Sequence, residues 1–399
     1  MQKAIPYGRQ NITEEDIQAV VEVLKSDFLT QGPSVLAFEK SFAEYVGAEY
    51  AVAVSNGTTA LHLCALALGV KERTKVITTP ITFAASANCV KYCGGDVVFA
   101  DINPDTFLID IQKVRALLES SPKGTYSGII PVDFAGYPVN TEELRTLADE
   151  FGLWIIEDAC HAPGGSFVNS KGETIKCGDG KYADLSIFSF HPVKHIACGE
   201  GGMITTNNKA LYDHLLSLRT HGITKDNSKF KNSTSSTLNT QHSTLEIGAW
   251  YYEMQELGYN YRLSDMQAAL GLSQLKRAQV GVERRNEIAQ KYDTAFENIE
   301  GITIPFRADN LYHAFHLYVI QVEDRLGLYN HLKANGIYAQ VHYVPVHTNP
   351  YYQSLGHQIG DYPIAEQYYA HCLSLPMYPS LCEEEQSFVI EKVIEFINK

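Results

Sequence analysis

From Tyr50 onward the chain alternates short, unbroken apolar runs with helix-length segments. Residues 51–54, 75–78, 97–99, 128–132, 153–156, 185–188 and 203–206 give seven such runs. A strand with one wet face shows alternate polar residues, whereas one that is apolar throughout must be covered on both sides. The pattern therefore predicts an α/β fold, a mainly parallel sheet between helical layers. Helices are expected over 58–68 and 83–92. Upstream, Thr13 is placed to cap a helix that opens with Glu14-Glu15-Asp16, and a second helix covers 33–46. In such sheets ligands bind beyond the carboxyl ends of the strands, so residues there are the first candidates for chemistry.

The chain has 399 residues, more than one core usually organises, and two subdomains are expected, 1–260 and 261–399. The second half reads as a long helix from Leu263 towards Tyr292, then strands over 316–322 and 338–343 and helices over 325–335 and 384–398. This is a smaller α+β unit. The stretch 226–247 is rich in Ser, Thr, Asn and Gln and reads as an exposed loop. A net charge of −14 without a basic block argues against nucleic-acid or anionic-membrane binding. No window approaches the ~18 apolar residues of a membrane span. The opening residues lack a signal-peptide core, and a cytoplasmic protein is expected. The 8 cysteines form no CxxC pair or regular framework, so reduced thiols and no metal are expected.

Two strand ends stand out. One run closes in Glu157-Asp158-Ala159-Cys160-His161, and another is followed by Ser189-Phe190-His191-Pro192-Val193-Lys194. An acid at the end of a central apolar strand needs a partner. A lysine among Phe188, Phe190, Pro192 and Ile196 sits in poorly solvated surroundings, which lower its proton affinity and make it a nucleophile and base. Pyridoxal phosphate requires both groups: an amine to carry its aldehyde, and an anion to keep its pyridine nitrogen protonated. Ser55-Asn56-Gly57-Thr58-Thr59 leaves a strand and opens a helix, where free N–H groups form a cup for phosphate. Isolated turns of this kind commonly bind nothing; here the turn accompanies an amine and an acid. Phe83 is placed to stack on a ring, with core packing as its ordinary use.

The stretches SNGTTALH (55–62), PITFAASAN (80–88), EDACHA (157–162), FSFHPVKHIACGEGGM (188–203) and GYNYRLSDMQAALGLSQL (258–275), in this order, resemble the DegT/StrS sugar-nucleotide aminotransferases. The resemblance implies a fold-type-I pyridoxal-phosphate enzyme with a large seven-stranded α/β domain and a smaller C-terminal α+β domain, working as a homodimer with a shared site. It makes Lys194 the lysine that carries the cofactor and moves the proton, and Asp158 the partner of the pyridine nitrogen. His161 would meet the phenolic oxygen and Phe83 the ring. Gly57, Thr58, Thr59 and Ser189 would hold the phosphate, with Asn260 reaching that of the neighbouring subunit. QVHYVPVH (340–347) points to the branch that aminates a UDP-linked 4-keto-6-deoxy sugar with L-glutamate, releasing 2-oxoglutarate, in the pseudaminic acid pathway. For the nucleotide sugar the candidates are Tyr7, Lys25, Phe28, Arg219, Arg262, His316, His342 and Tyr343. His195 and Ala197-Cys198 depart from the Pro and Thr-Thr of many relatives. Related dehydratases carry His at the lysine position. A regulator that kept only the fold would need neither Lys194 nor Asp158.

Overall fold

A computed structural model describes residues 4–231 and 250–399, together with the backbone of the paired strands Thr237–Asn239 and Thr244–Glu246. Part of the polar stretch 226–247 lies outside the described residues; its opening residues hold a short 3-10 turn, Asn227–Lys229.

The large sheet has seven strands. In chain order these are β1 (Tyr50–Val54), β2 (Lys75–Thr78), β3 (Asp96–Phe99), β4 (Gly128–Ile130), β5 (Trp154–Asp158), β6 (Leu185–Ser189) and β7 (Gly202–Thr206). Their spatial order is β1-β7-β6-β5-β4-β2-β3. All pairs are parallel except those of β7, which runs antiparallel to both β1 and β6. The reversal of β7 follows from its short connection: a strand that returns directly from its neighbour must run antiparallel, whereas parallel pairs need a crossover. The unbroken apolar runs are unbroken because both faces are covered. Val52, Ile77, Ile129, Ile155, Ile187 and Ile204 are fully buried.

Helices α1 (Glu14–Leu24), α2 (Pro33–Val46) and α3 (Gly57–Ala67) start where capping chemistry allows. Asp16 accepts from the Thr13 N–H, Asn56 caps α3 through the Thr59 N–H, and Pro33 opens α2. The Asp265 carboxylate, distant in sequence, accepts from the N–H groups of Gly32 and Ser34 at 2.8 and 2.9 Å and fixes the start of α2.

The expected long helix after Leu263 is two helices, Asp265–Leu275 and Ala278–Phe296. The break falls at Arg277, whose backbone leaves the helical well at ψ 3°. There its guanidinium reaches back to Asp16 at 2.8 Å, which rewards the bend. The C-terminal region carries an antiparallel sheet of Ile302–Thr303, Tyr318–Val322 and Cys372–Leu375, flanked by helices Arg325–Ala334 and Glu383–Ile397. The strand expected over 338–343 is reduced to Ile337–Tyr338. It pairs in parallel with Ile5–Pro6 from the other end of the chain. The freed segment 339–343 instead delivers side chains to a cavity. Among the described residues no helix is long and apolar enough to cross a membrane.

Candidate active site

Beyond the carboxyl ends of the central strands lies a cavity of about 440 Å³. Gly57 and Thr58 border it at the start of α3, Asp158 at the end of β5, Ser189 at the end of β6, and Lys194 in the loop that follows. The loop is held by backbone bonds from Phe190 N–H to Gly201 C=O and from Cys198 N–H to Phe190 C=O, at 2.8 and 2.9 Å. It is pinned below by aromatic rings: Phe190 packs on Phe38 at 5.1 Å and Phe188 on Phe42 at 4.8 Å between centroids. Lys194 therefore turns inward on a rigid base.

Asp158 is buried. Its Oδ2 accepts from the Ser86 hydroxyl at 2.6 Å and its Oδ1 from the Cys160 N–H at 3.2 Å. These neutral donors keep a carboxylate in place without spending its charge. Ser86 is absent from the sequence-based candidates; it sits three positions after Phe83 at the start of Ala85–Tyr92, a spacing that would place both on one helical face.

Lys194 is half-buried, and burial lowers its proton affinity, the charges of Cys160 and Asp158 opposing that effect. Its Nζ lies 3.5 Å from Nε2 of His316. His161 is buried, and its Nδ1 accepts from the Ala135 N–H at 3.2 Å. In the neutral ring the proton is then on Nε2, which faces the Tyr343 hydroxyl at 3.2 Å. Burial, and after it the charge of Lys194, pushes His161 and His316 far below the ordinary imidazole range. His342 falls to about 3 for the same reasons. These rings are thus neutral donors and acceptors at physiological pH.

Gly57 permits close approach: a Cβ there would lie 3.1 Å from Cβ of Ser189, a tight contact. The first-turn N–H groups of Gly57 and Thr58 have no partner within a helix and open on the cavity beside Ser189. Phe83, 63% exposed, stands at the rim. Tyr7, His316, His342 and Tyr343 also line the cavity.

Other expectations are placed differently. The Thr59 hydroxyl is turned into the α3 cap, donating to the Asn56 C=O at 2.8 Å, and does not border the cavity. Arg219 does not border the cavity of its own chain. Its Nη1 is bound to the Glu39 carboxylate at 2.5 Å and to the Ala53 C=O at 2.7 Å, which makes it a half-buried brace between α2 and β1. Lys25 and Phe28 are exposed outside the cavity. Arg262 bridges Val54 through its backbone, and Asn260 bridges Thr220 and is exposed; neither borders the cavity of its own chain.

The model of the DegT/DnrJ/EryC1/StrS aminotransferase family matches residues 10–394. The chain is 39% identical over 401 residues to spore coat polysaccharide biosynthesis protein SpsC of Bacillus subtilis, covering 98% of this chain and 97% of that one. It is 37% identical over 407 residues to the UDP-4-amino-4,6-dideoxy-N-acetyl-beta-L-altrosamine transaminase of Campylobacter jejuni, covering 99% and 98%. Among solved structures, Helicobacter pylori PseC, an aminotransferase involved in the biosynthesis of pseudoaminic acid, superposes with a TM-score of 0.85 at 30% identity, covering 99% of this chain and 100% of that chain.

The cofactor of these enzymes is pyridoxal 5'-phosphate, and the cavity fits it. It offers an amine of lowered basicity, a carboxylate held by neutral donors, and uncapped N–H groups beside a hydroxyl, the kinds of group that ring and phosphate demand. From family match, fold and cavity together, the chain belongs to the DegT/DnrJ/EryC1/StrS aminotransferase family and is a pyridoxal-phosphate-dependent sugar aminotransferase.

Proposed function

We propose that the chain transfers an amino group from L-glutamate to C4 of UDP-2-acetamido-2,6-dideoxy-β-L-arabino-hexos-4-ulose. The product is UDP-4-amino-4,6-dideoxy-N-acetyl-β-L-altrosamine, a step of pseudaminic acid biosynthesis. The observation that carries this reading is the meeting of Lys194 and Asp158 in one cavity with His342 and Tyr343 of the QVHYVPVH segment. Similarity to the Campylobacter transaminase over nearly the whole chain supports it.

When bound, pyridoxal phosphate supplies an electron sink that makes the proton beside the reacting nitrogen labile. Lys194 would take that proton with Nζ and return it to the carbon on the other side of the same nitrogen, a role its lowered basicity favours. Asp158 holds the pyridine N–H, and its bonds from Ser86 and Cys160 keep the carboxylate aimed. His161 presents its Nε2 proton to the ring oxygen, and Phe83 covers the ring. Gly57, Thr58 and Ser189 bind the phosphate. Tyr7, His316, His342 and Tyr343 are proposed to receive the sugar. Asn260 completes the phosphate site of a neighbouring copy, which makes the working unit a homodimer. Functionally the chain divides into a large cofactor-binding domain, residues 1–260, and a small domain, residues 261–399.

Similarity to SpsC, a spore-coat polysaccharide protein, favours a second reading in which another keto sugar is the acceptor. Incubation of the holoenzyme with glutamate and either UDP- or dTDP-linked 4-keto sugars, followed by mass spectrometry, separates the two. Amination of the UDP-linked L-arabino-hexos-4-ulose is expected; exclusive amination of a dTDP sugar would sink the first reading.

A further inference from the structure

Successive residues of a strand point to opposite faces of the sheet. Asp158 looks into the cavity, and its neighbour Glu157 looks away from it. There Glu157 meets Asp133, which follows β4. Glu157 is 5% exposed and Asp133 0%. The ligand atoms of Asp133, Glu157 and Cys177 lie within 4.8 Å of one another. Glu157 Oε2 accepts from the Ser186 hydroxyl at 2.6 Å and the Gly178 N–H at 3.0 Å. Asp133 Oδ1 accepts from the Val139 N–H at 2.8 Å. The second oxygen of Asp133 is buried and accepts from no backbone N–H or hydroxyl, and the Cys177 thiol is the one other side chain besides Glu157 that can offer the Asp133 carboxylate a proton. The ionisable groups facing the pair are Asp158 from β5, and Cys177 and Asp179 from the turn after Thr174–Lys176. All are acids; no lysine or arginine is among them. Two dry carboxylates this close cannot both be charged.

We propose that Asp133 and Glu157 share a single proton and together act as positioning residues for the wall of the active site. The shared proton supplies the bond that Asp133 Oδ2 lacks. What it fixes can be followed along the backbone. The Asp133 N–H donates to the Asp158 C=O at 3.0 Å. The turn that follows, Phe134–Gly136, aims the Ala135 N–H at His161. The same turn accepts from the Ala314 and Leu317 N–H groups, on either side of His316, at 2.8 and 3.2 Å. One proton thus ties together the supports of Asp158, His161 and His316.

Removal of the proton would set two negative charges side by side in an apolar site. Burial raises both groups, Glu157 to about 7 and Asp133 well above the usual carboxylate range. A carboxyl raised in the folded state contributes stability that is complete below its unfolded value of about 4 and is lost as pH rises through the raised one. The fold should therefore weaken from weakly acidic to alkaline pH.

The inference does not rest on the identity of the sugar, because its readouts need no substrate. Infrared difference spectra of the wild-type holoenzyme against Glu157→Gln should contain a protonated-carboxyl band at neutral pH that the variant lacks. Melting temperature against pH gives the second readout. The wild type should lose stability as pH rises from weakly acidic through neutral to alkaline values, whereas Glu157→Gln and Asp133→Asn, whose amides supply a fixed donor, should be flatter. Failure of both variants to fold leaves the titration of the carboxyl band in the wild type alone as the test. Absence of that band, equal pH slopes in all proteins that fold, or a stoichiometric bound metal by elemental analysis would each overturn the proposal.

Discussion

Asp158 and Glu157 are neighbours in one strand, yet they live in opposite chemical settings. Both are buried, and each accepts a serine hydroxyl at 2.6 Å, from Ser86 and Ser186 respectively. Asp158 faces a cavity with an amine at its edge, while Glu157 faces other acids. The first setting suits the role proposed for Asp158, a partner for a cationic ring. The second suits an acid that must remain protonated. Strand alternation separates the two roles by a single residue, and what differs is the company each side chain keeps.

The contrast can be broken at several points. Lys194→Ala should abolish turnover, measured as 2-oxoglutarate release, with the protein still folded; residual turnover near wild type would remove the lysine from the chemistry. Asp158→Asn should slow turnover by about 10³-fold, roughly 4 kcal/mol of barrier, because the ring loses its anionic partner. A loss under about tenfold would argue against the pairing. Arg219→Ala tests a half-buried charge, paired with the buried Glu39, that does not border the cavity. It should cost about 3–5 kcal/mol of stability by leaving Glu39 unpaired, read by denaturant unfolding, while the substrate KM holds. A raised KM without loss of stability would return Arg219 to the substrate. The smallest effects come from the serine pair. Ser86→Ala should lower kcat by about tenfold, near 1.4 kcal/mol. Ser186→Ala should instead lower stability by about 1–3 kcal/mol. Identical kcat and melting behaviour in the two would erase the distinction between the faces.

Much of this site is legible in the sequence because its components lie at strand ends. An apolar run that stops in a charged or polar residue announces both the strand and the side chain that leaves it, as with Asp158, Ser189 and the turn at Gly57. Lys194 can be read from the apolar residues that desolvate it. Arg219 is easily misread because its partners, Glu39 and the Ala53 carbonyl, are distant in sequence, and no local pattern marks an arginine that turns inward. The split of the helix after Leu263 is hidden for the same reason, since Asp16 rewards it from the far end of the chain. Thr59 illustrates a competition: a hydroxyl in the first turn of a helix has the cap within reach before any ligand. The Asp133–Glu157 contact joins the ends of two different strands and leaves no periodic trace at all.

The parallel pairing of Ile5–Pro6 with Ile337–Tyr338 has a consequence for how the enzyme is made. Tyr7, just beyond it, lines the reaction chamber, and its carbonyl is gripped by the Met377 N–H at 2.9 Å. Ile5–Pro6 therefore waits for Ile337–Tyr338, and Tyr7 for Met377, before this wall of the chamber can be built. Until Met377 has been made the vitamin-derived group meets an unfinished pocket, so its firm capture follows synthesis of the small domain.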